Sequence, residues 1–198
     1  MKSVRLVLAS ASPRRKVLLE QIGLTFEVHP SHIPEPPLVD QNPASYAEEL
    51  ARAKAIEISQ QFPERLVVGA DTIVVVDETV LGKPVDDQAA FDMLSLLSNR
   101  SHQVITAYSI QLQKEHLEHT THVMTEVHFK DLSQAEKIQY IQSGAAIDKA
   151  GSYGIQDYSG VFVDKINGCF YNVVGLPLSH FNSTLQSLLQ AHGLELAH

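Results

Sequence analysis

The sequence predicts a mixed α/β or α+β protein, and three observations carry that prediction. Helical segments with clear capping signals and strand segments rich in β-branched residues are both present. These segments do not alternate as a repeating strand–helix–strand series, so a sheet with both parallel and antiparallel neighbours is expected. The chain of 198 residues shows no internal repeat and is long enough for one domain or a compact two-lobed one.

The N-terminal segment predicts a short strand followed by a helix. Residues 4–9 form a short apolar run. The helix signals then agree, because Ser12 fits the N-cap position, Pro13 the first helical position and Gly23 the residue just past the end. The proline-rich stretch 29–38 is expected to form an extended loop, since proline restricts both itself and the residue before it.

The next segments predict a long helix and a strand that turns back on itself. Asn42 fits the N-cap and Pro43 the first helical position of a helix that runs to about Gln61. Within 65–84, a long apolar strand, a turn near 77–79 and a short return strand are expected.

The second half of the chain predicts two helices with a strand pair between them. An amphipathic helix is expected at 86–97. Two segments of alternating polarity, 103–113 and 121–129, are joined by a polar turn and predict an antiparallel pair. A Ser-x-x-Glu capping box at 133–136 begins a helix that ends near Gly144.

The C-terminal part predicts a glycine-rich loop, a hairpin and a helix. The loop at 151–160 leads into 161–174, where Asn167 and Gly168 form a strong hairpin turn signal. A final helix is predicted at about 179–191.

Composition and charge exclude several function classes. No apolar run reaches the ~20 residues that a membrane helix needs, no signal peptide is recognisable, and Cys169 is the only cysteine, so a cytoplasmic location is expected. Residues 1–16 hold five of the 15 Lys and Arg and no acid, while the remaining chain holds all 23 Asp and Glu. This acidic body argues against nucleic-acid binding, and its small cationic focus suits a small anion.

That cationic focus lies in the first turn of the first helix. Arg14, Arg15 and Lys16 follow Pro13, where the helix dipole is already positive, at a cost of roughly 0.3–1 kcal/mol each. Free backbone N–H groups at a helix start bind anions, and guanidinium groups add planar donors for phosphate oxygens. The alternative is a solvated cluster of cations.

Asp71 stands inside the apolar run 66–76. A buried carboxylate costs several kcal/mol unless it is paired, hydrogen-bonded or bound to a metal. Such a group can hold a divalent cation or activate a water molecule, and it can equally be a structural aspartate that backbone donors satisfy.

Four further charged residues are candidates for a phosphate and metal site. Lys54 lies on the predicted core-facing stripe of its helix, where a lysine can also simply extend to water. Lys83 and Lys149 stand beside glycines, which let a ligand approach the backbone closely. Glu35, in the proline-rich loop, can share a magnesium ion with Asp71 or be a solvated acid.

Four segments together identify a family. LASASPRRKVLLEQIG, VVGADTIVVVDETVLGKP, SHQVITAYSI and DKAGSYGIQDYSGVFVDKINGCFYNVVGLPL resemble, in order and spacing, the Maf family of nucleotide pyrophosphatases. The resemblance covers about 4–178. It implies a mixed twisted sheet with flanking helices in two lobes around a cleft, similar to inosine triphosphate pyrophosphatases, with 1–198 as a single Maf-like domain. It also implies a nucleoside triphosphate substrate, release of monophosphate and pyrophosphate, and a divalent cation, Mg²⁺ or Mn²⁺.

The resemblance assigns roles to individual residues. The family's catalytic base corresponds to Asp71, and its expected metal ligands here are Glu35 and Asp71. The residues that match phosphate and metal contacts are Ser10, Arg15, Glu35, Lys54, Lys83 and Lys149. On this reading, the cations at the helix start face a highly negative triphosphate, which accounts for their unfavourable position.

Three positions resemble the dTTP/UTP branch of the family. Arg14 stands where the 7-methylguanosine triphosphate branch has tryptophan, and Thr72 and Gln156 also follow the dTTP/UTP pattern. The expected activity is hydrolysis of dTTP and UTP, with modified pyrimidine nucleotides as further candidates. The alternative is a nucleotide-binding regulator of cell division, or septum formation, with little turnover. The resemblance also suggests a homodimer.

Overall fold

The computed structural model describes residues 1–36 and 41–197. The strands within these ranges are β1 (Lys2–Val4), β2 (Leu6–Leu8), β3 (Phe26–Val28), β4 (Leu66–Val76), β5 (Thr79–Leu81), β6 (Ser101–Leu112), β7 (Leu117–Phe129), β8 (Val163–Asn167) and β9 (Leu194–Leu196). The helices are α1 (Pro13–Gln21), α2 (Pro43–Gln61), α3 (Asp87–Leu97), α4 (Gln134–Gln142), α5 (Phe170–Val174) and α6 (Leu178–Ala191). In the described ranges, none of the helices has the length and apolarity that crossing a membrane requires.

Most local signals in the sequence are confirmed. The Asn42 side chain caps α2 by accepting from the backbone N–H groups of Ala44 and Ser45, and the capping box of α4 is formed. The predicted first strand is interrupted at Arg5, and β3 and β9 were not predicted. Residues 29–36 lie outside any helix or strand, as expected for the loop, whereas the rest of that predicted loop lies outside the described residues.

The predicted hairpin turn at Asn167 and Gly168 is wrong. After β8 the chain enters α5 instead of a return strand. Gly168 has φ +133°, and a Cβ at this position would lie 2.9 Å from Thr125 Oγ1. The Cys169 N–H donates to the same oxygen at 3.1 Å. Glycine is needed here for a close approach to β7, a tertiary demand that the hairpin signal does not contain.

Seven strands form one mixed sheet in the order β3-β2-β4-β6-β7-β8, with β5 paired to β4. β2 is parallel to both β3 and β4, while β4–β5 and β7–β8 are antiparallel. β1 and β9 form a separate parallel pair. This mixed sheet with flanking helices confirms the predicted fold class.

The chain divides into two compact units. Unit 1 comprises Met1–Asp71, Thr106–Val123 and Gly175–His198, and unit 2 comprises Thr72–Ile105 and Met124–Val174. The chain therefore changes unit within three strands, β4, β6 and β7.

In unit 1, α2 packs against β4 at backbone distance. A Cβ on Gly69 would lie 2.5 Å from the carbonyl oxygen of Ala51 and 2.6 Å from the backbone nitrogen of Ala55, so only glycine fits this position of the strand. Because side chains two residues apart share one face of a strand, Asp71 must face the same helix. The small residues of α2 thus determine which helical side chain reaches Asp71.

Unit 2 has its own apolar core, centred on aromatic rings. Phe129 makes edge contacts with Tyr153 and His102, at centroid distances of 4.7 and 4.9 Å. Tyr140 packs in the same way on Phe162 at 5.4 Å. These rings are buried together with aliphatic side chains of β4, α3, β6 and β7.

Candidate active site

Ser10 and Arg15 form a hydrogen-bonded pair at the start of α1. The Arg15 Nη1 group donates to Ser10 Oγ at 3.1 Å, and the Ser12 N–H donates to the same oxygen at 3.2 Å. Arg15 Nε donates to the carbonyl oxygen of Gly175 at 2.9 Å, so this side chain links two distant parts of unit 1. Ser12 itself makes no side-chain capping bond to α1, contrary to the usual role of a serine N-cap.

The charge of Arg15 is held in a partly buried place. Burial lowers the pKa of its guanidinium group, and the neighbouring Arg14 lowers it further. The negative charges of Asp71 and Glu35 act in the opposite direction and raise it. Arg15 therefore lies in the electrostatic field of both carboxylates predicted to bind a metal.

Asp71 and Lys54 form a nearly buried ion pair. The Lys54 Nζ group donates to Asp71 Oδ1 at 2.6 Å, and the two side chains are only 12% and 10% exposed. The close packing of α2 on β4 at Gly69 brings them together. Lys54 therefore lies on the core-facing stripe as predicted. The buried carboxylate of Asp71 is paired with the ammonium group of this lysine.

Glu35 completes the cluster from the proline-rich loop. Its Oε1 atom also lies 2.6 Å from Lys54 Nζ, while its side chain is half exposed. Two oxygens that are each 2.6 Å from one nitrogen lie at most twice that distance apart. One ammonium group thus contacts two carboxylates, and both also lie in the field of the Arg15 charge.

The predicted metal site fits this arrangement in its donor chemistry. Among the described residues, no group of three or more His, Cys, Asp or Glu side chains is placed to hold a metal ion by itself. Two carboxylates are the usual protein share of a Mg²⁺ site whose other positions belong to water and substrate phosphates. Glu35 and Asp71 supply that share.

Arg14 precedes Arg15 on α1 in unit 1, and the other predicted residues lie in unit 2. Thr72 is its first residue, and Lys83 and Gln156 are exposed. The Gly151 N–H donates to the Gly82 carbonyl oxygen at 3.1 Å, which brings the loop of Lys83 next to the loop of Lys149.

Lys149 is engaged by acidic groups of its own loop. Its Nζ atom lies 2.7 Å from Asp148 and 3.3 Å from Asp157, and it donates to the Ala145 carbonyl oxygen at 2.5 Å. Asp157 also accepts from the Ser159 N–H at 2.9 Å. In this conformation the contacts of Lys149 hold the glycine-rich loop together.

Two residues that lie beside the predicted ones were not indicated by the sequence analysis. Asp157 contacts Lys149, and Tyr46 donates its hydroxyl to the Pro36 carbonyl oxygen at 2.7 Å, directly beside Glu35. A signal for Tyr46 existed, because it lies eight residues before Lys54 and therefore on nearly the same face of α2. For Asp157, only its place beside Gln156 pointed to it.

Comparisons with known proteins identify the family of the chain. The family model described as Maf-like protein matches residues 5–188. A protein of Syntrophomonas wolfei named dTTP/UTP pyrophosphatase is 46% identical over 172 residues, which cover 87% of this chain and 91% of the relative. Other bacterial proteins with the same name are 40–45% identical, each over most of its length.

Two solved structures are similar to this chain. A HAM1 protein from Coxiella burnetii matches 93% of this chain and 99% of its own, with a TM-score of 0.50 and 16% sequence identity. A nucleoside-triphosphatase / dITP/XTP pyrophosphatase from Mycobacterium abscessus matches 94% of this chain with a TM-score of 0.46 and 18% identity. Because the sequence identity to the Coxiella protein is only 16%, this similarity supports the fold and no function.

Proposed function

Because the chain belongs to the Maf-like protein family, we propose that it is a nucleoside triphosphate pyrophosphatase that hydrolyses dTTP and UTP to the monophosphate and pyrophosphate. The relatives that bear this activity in their names cover most of the chain at 40–46% identity. The observation that carries the proposal in this chain is the Asp71–Lys54–Glu35 cluster, a buried acid with a cation and a second acid at hydrogen-bond distance.

Asp71 is the proposed catalytic base. Its carboxylate accepts a proton from a water molecule as that water attacks the α-phosphorus, and the bond from the α-phosphorus to the bridging oxygen breaks to release pyrophosphate. Lys54 keeps the carboxylate in place through its bond to Oδ1. Burial of the pair restricts competing water and strengthens the local electrostatic interactions.

Arg15 and Ser10 are the proposed phosphate-binding residues of unit 1. The guanidinium group offers planar donors to phosphate oxygens, and its bond to Gly175 fixes its orientation before a ligand arrives. Lys83 and Lys149 are proposed to bind phosphate as well, a role that rests on the family resemblance. For Lys149, substrate must then compete with Asp148 and Asp157.

A divalent cation, Mg²⁺ or Mn²⁺, is proposed to bind to Glu35 and Asp71. When bound, it would neutralise negative charge on the phosphates and on the leaving pyrophosphate. Lys54 contacts one oxygen of each carboxylate, so the cation would share these two acids with its ammonium group.

Pyrophosphate release is the measurement that tests the proposed function. Purified protein is incubated with dTTP, UTP, dATP and 7-methyl-GTP, each with Mg²⁺ and with Mn²⁺. We expect rapid release from dTTP and UTP and slow release from the two purine nucleotides. Binding of dTTP without release would favour the alternative function, a division regulator with little turnover, over an enzyme.

Base selectivity is proposed to depend on Arg14, Thr72 and Gln156. Gln156 can donate and accept hydrogen bonds, which matches the mixed edge of uracil or thymine. A methylated guanine carries a positive charge, which Arg14 repels and an aromatic ring attracts. The double variant Arg14→Trp/Gln156→Glu should therefore lower kcat/KM for dTTP and raise it for 7-methyl-GTP, and an unchanged ratio would contradict this assignment.

The cytoplasmic location, the single-domain organisation and the homodimer stay predictions. Size-exclusion chromatography with light scattering tests the homodimer directly. A mass of 21.9 kDa would indicate a monomer, since that is the mass of one chain.

A further inference from the structure

The segment 31–36, which carries Glu35, is attached to α2 at both of its ends. At one end, the Glu57 carboxylate accepts hydrogen bonds from the Ser31 hydroxyl and from the His32 N–H, the latter at 3.0 Å. At the other end, the Tyr46 hydroxyl donates to the Pro36 carbonyl oxygen at 2.7 Å. Glu35 meets Lys54 between these two attachments.

The length of the segment matches the spacing of its two attachments on α2. Ser31 and Pro36 are five residues apart, and at about 3.3 Å per residue an extended chain of that length spans about 17 Å. The helical distance from Glu57 to Tyr46, eleven residues at about 1.5 Å each, is also about 17 Å. The two lengths agree, so an extended segment running along α2 in the opposite direction fits both attachments.

The sequence of segment 31–36 favours an extended backbone. Pro34 and Pro36 flank Glu35 on both sides. A residue that precedes proline is pushed to extended backbone angles, and proline itself fixes its own φ. The backbone of Glu35 is thus stiff, and where its carboxylate points depends on where the two ends of the segment are held.

The phenol group of Tyr46 lies in the electrostatic field of Asp71 and Glu35. Burial raises the pKa of its phenol group, and the negative charges of Asp71 and Glu35 raise it further. The Tyr46 hydroxyl, the held end of the segment and the two carboxylates therefore belong to one local environment in unit 1.

We propose that Tyr46 and Glu57 are positioning residues that hold the Glu35 carboxylate at Lys54 and Asp71 by fixing the two ends of segment 31–36 to α2. Neither residue needs to contact substrate. The consequence for metal binding and turnover rests on the proposed function, whereas the consequence for the apo protein does not.

The first experiment uses lysine labelling in the protein without nucleotide or metal. Tyr46→Phe removes one hydroxyl, and Glu57→Ala removes the other attachment from a helix that tolerates alanine. In either variant, Glu35 should leave the Lys54 ammonium group more often, so acetylation of Lys54 should become about two- to tenfold faster. A factor of this size corresponds to the loss of one or two net hydrogen bonds. Lys149 is equally shielded, at 12% exposure, and should keep its wild-type rate.

Two control variants sharpen the labelling. Glu57→Gln keeps an oxygen that accepts from Ser31 and His32, so its Lys54 rate should lie nearer to the wild type than that of Glu57→Ala. Tyr158→Phe removes a hydroxyl from a half-exposed tyrosine of unit 2 and should change neither rate. Unchanged Lys54 labelling in both attachment variants would overturn the proposal, and so would parallel increases at Lys54 and Lys149, which indicate general loosening.

The second experiment measures the Mg²⁺ concentration that gives half-maximal pyrophosphate release from dTTP. Tyr46→Phe should raise this concentration about two- to tenfold while kcat at saturating Mg²⁺ stays within about twofold. In a Glu35→Gln background, the same substitution should have no further effect, because the group that it positions is gone. Equal effects in both backgrounds would overturn the positioning role. A wild-type protein that releases no pyrophosphate would instead refute the proposed function and leave the labelling result to decide the positioning.

Discussion

Lys54 in unit 1 and Lys149 in unit 2 look alike by the usual measures. Each side chain is 12% exposed, and each ammonium group lies within 3.3 Å of two carboxylates. Their partners differ. Lys54 joins a buried aspartate of β4 to a glutamate from a distant loop, whereas Lys149 pairs with its own sequence neighbour Asp148, which is 69% exposed, and with Asp157 of the same loop.

The difference shows that the environment of the acid distinguishes the two clusters. Asp71 is 10% exposed and shares the Lys54 ammonium group with Glu35, so its negative charge lies where water screens it poorly, within the field of the Arg15 cation. Water solvates Asp148, and Asp157 is satisfied by hydrogen bonds within its loop. The first cluster is suited to attract a cation, and the second is suited to hold a loop.

The largest effect is expected from neutralising the acid in each cluster. Asp71→Asn should preserve the fold, because the amide is nearly isosteric, and lower kcat for dTTP by at least ~10²-fold through loss of the base. Asp157→Asn should leave kcat within a few-fold and lower Tm, since it weakens the loop contacts. Steady-state kinetics and thermal unfolding measure both. Near-wild-type turnover of Asp71→Asn would remove the chemical distinction between the clusters.

Replacing each lysine by methionine tests this difference between the two acids directly. Lys54→Met leaves two carboxylates without their ammonium group and should cost up to about 3 kcal/mol of unfolding free energy in the apo protein. Added Mg²⁺ should raise Tm of this variant more than that of the wild type, because the ion replaces the missing positive charge. Lys149→Met should lose stability without such a Mg²⁺ response. Equal Mg²⁺ responses in the two variants would contradict the comparison.

The free energy of unfolding should fall at acidic pH because of a buried histidine of unit 2. Burial lowers the pKa of His102 to about 4, from 6.5, and its Nε2 atom lies 2.7 Å from the Tyr153 hydroxyl. The unfolded chain therefore binds the extra proton first, so stability is intact above pH 6.5 and falls as pH decreases towards 4. The loss at pH 5 is about 2 kcal/mol.

His102→Gln is the matched variant for this pH effect. Glutamine keeps a polar group that can bond to the Tyr153 hydroxyl but does not titrate. Denaturant unfolding at pH 7 and pH 5 should show a smaller stability loss in the variant than in the wild type. The same loss in both proteins would assign the acid sensitivity to other groups.

The smallest effect is expected from a conservative change at the phosphate-binding arginine. Arg15→Lys keeps the positive charge but loses the planar fork that bonds both Ser10 and Gly175. We expect about tenfold weaker binding of dTTP and of pyrophosphate, with little change for thymidine, because the lost contacts involve phosphate. Isothermal titration calorimetry measures all three ligands, and equal weakening for thymidine would indicate a structural role alone.

Elements whose signals are local can be predicted from the sequence. The start of α2 at Asn42 and Pro43, the capping box of α4 and the turn between β4 and β5 depend on side chains within a few residues, and each is found where it was predicted. The motif order also sufficed to identify the family. In the same way, the burial of Asp71 follows from the apolar run around it.

Which distant groups meet depends on tertiary packing. Arg15 bonds to a carbonyl 160 residues away, Tyr46 holds the segment of Glu35, and the glycine after Asn167 serves a close approach to Thr125 instead of a hairpin. Such contacts depend on backbone separations set by packing, as where α2 rests on Gly69. Local propensity carries no information about those separations, since each residue type is compatible with many partners.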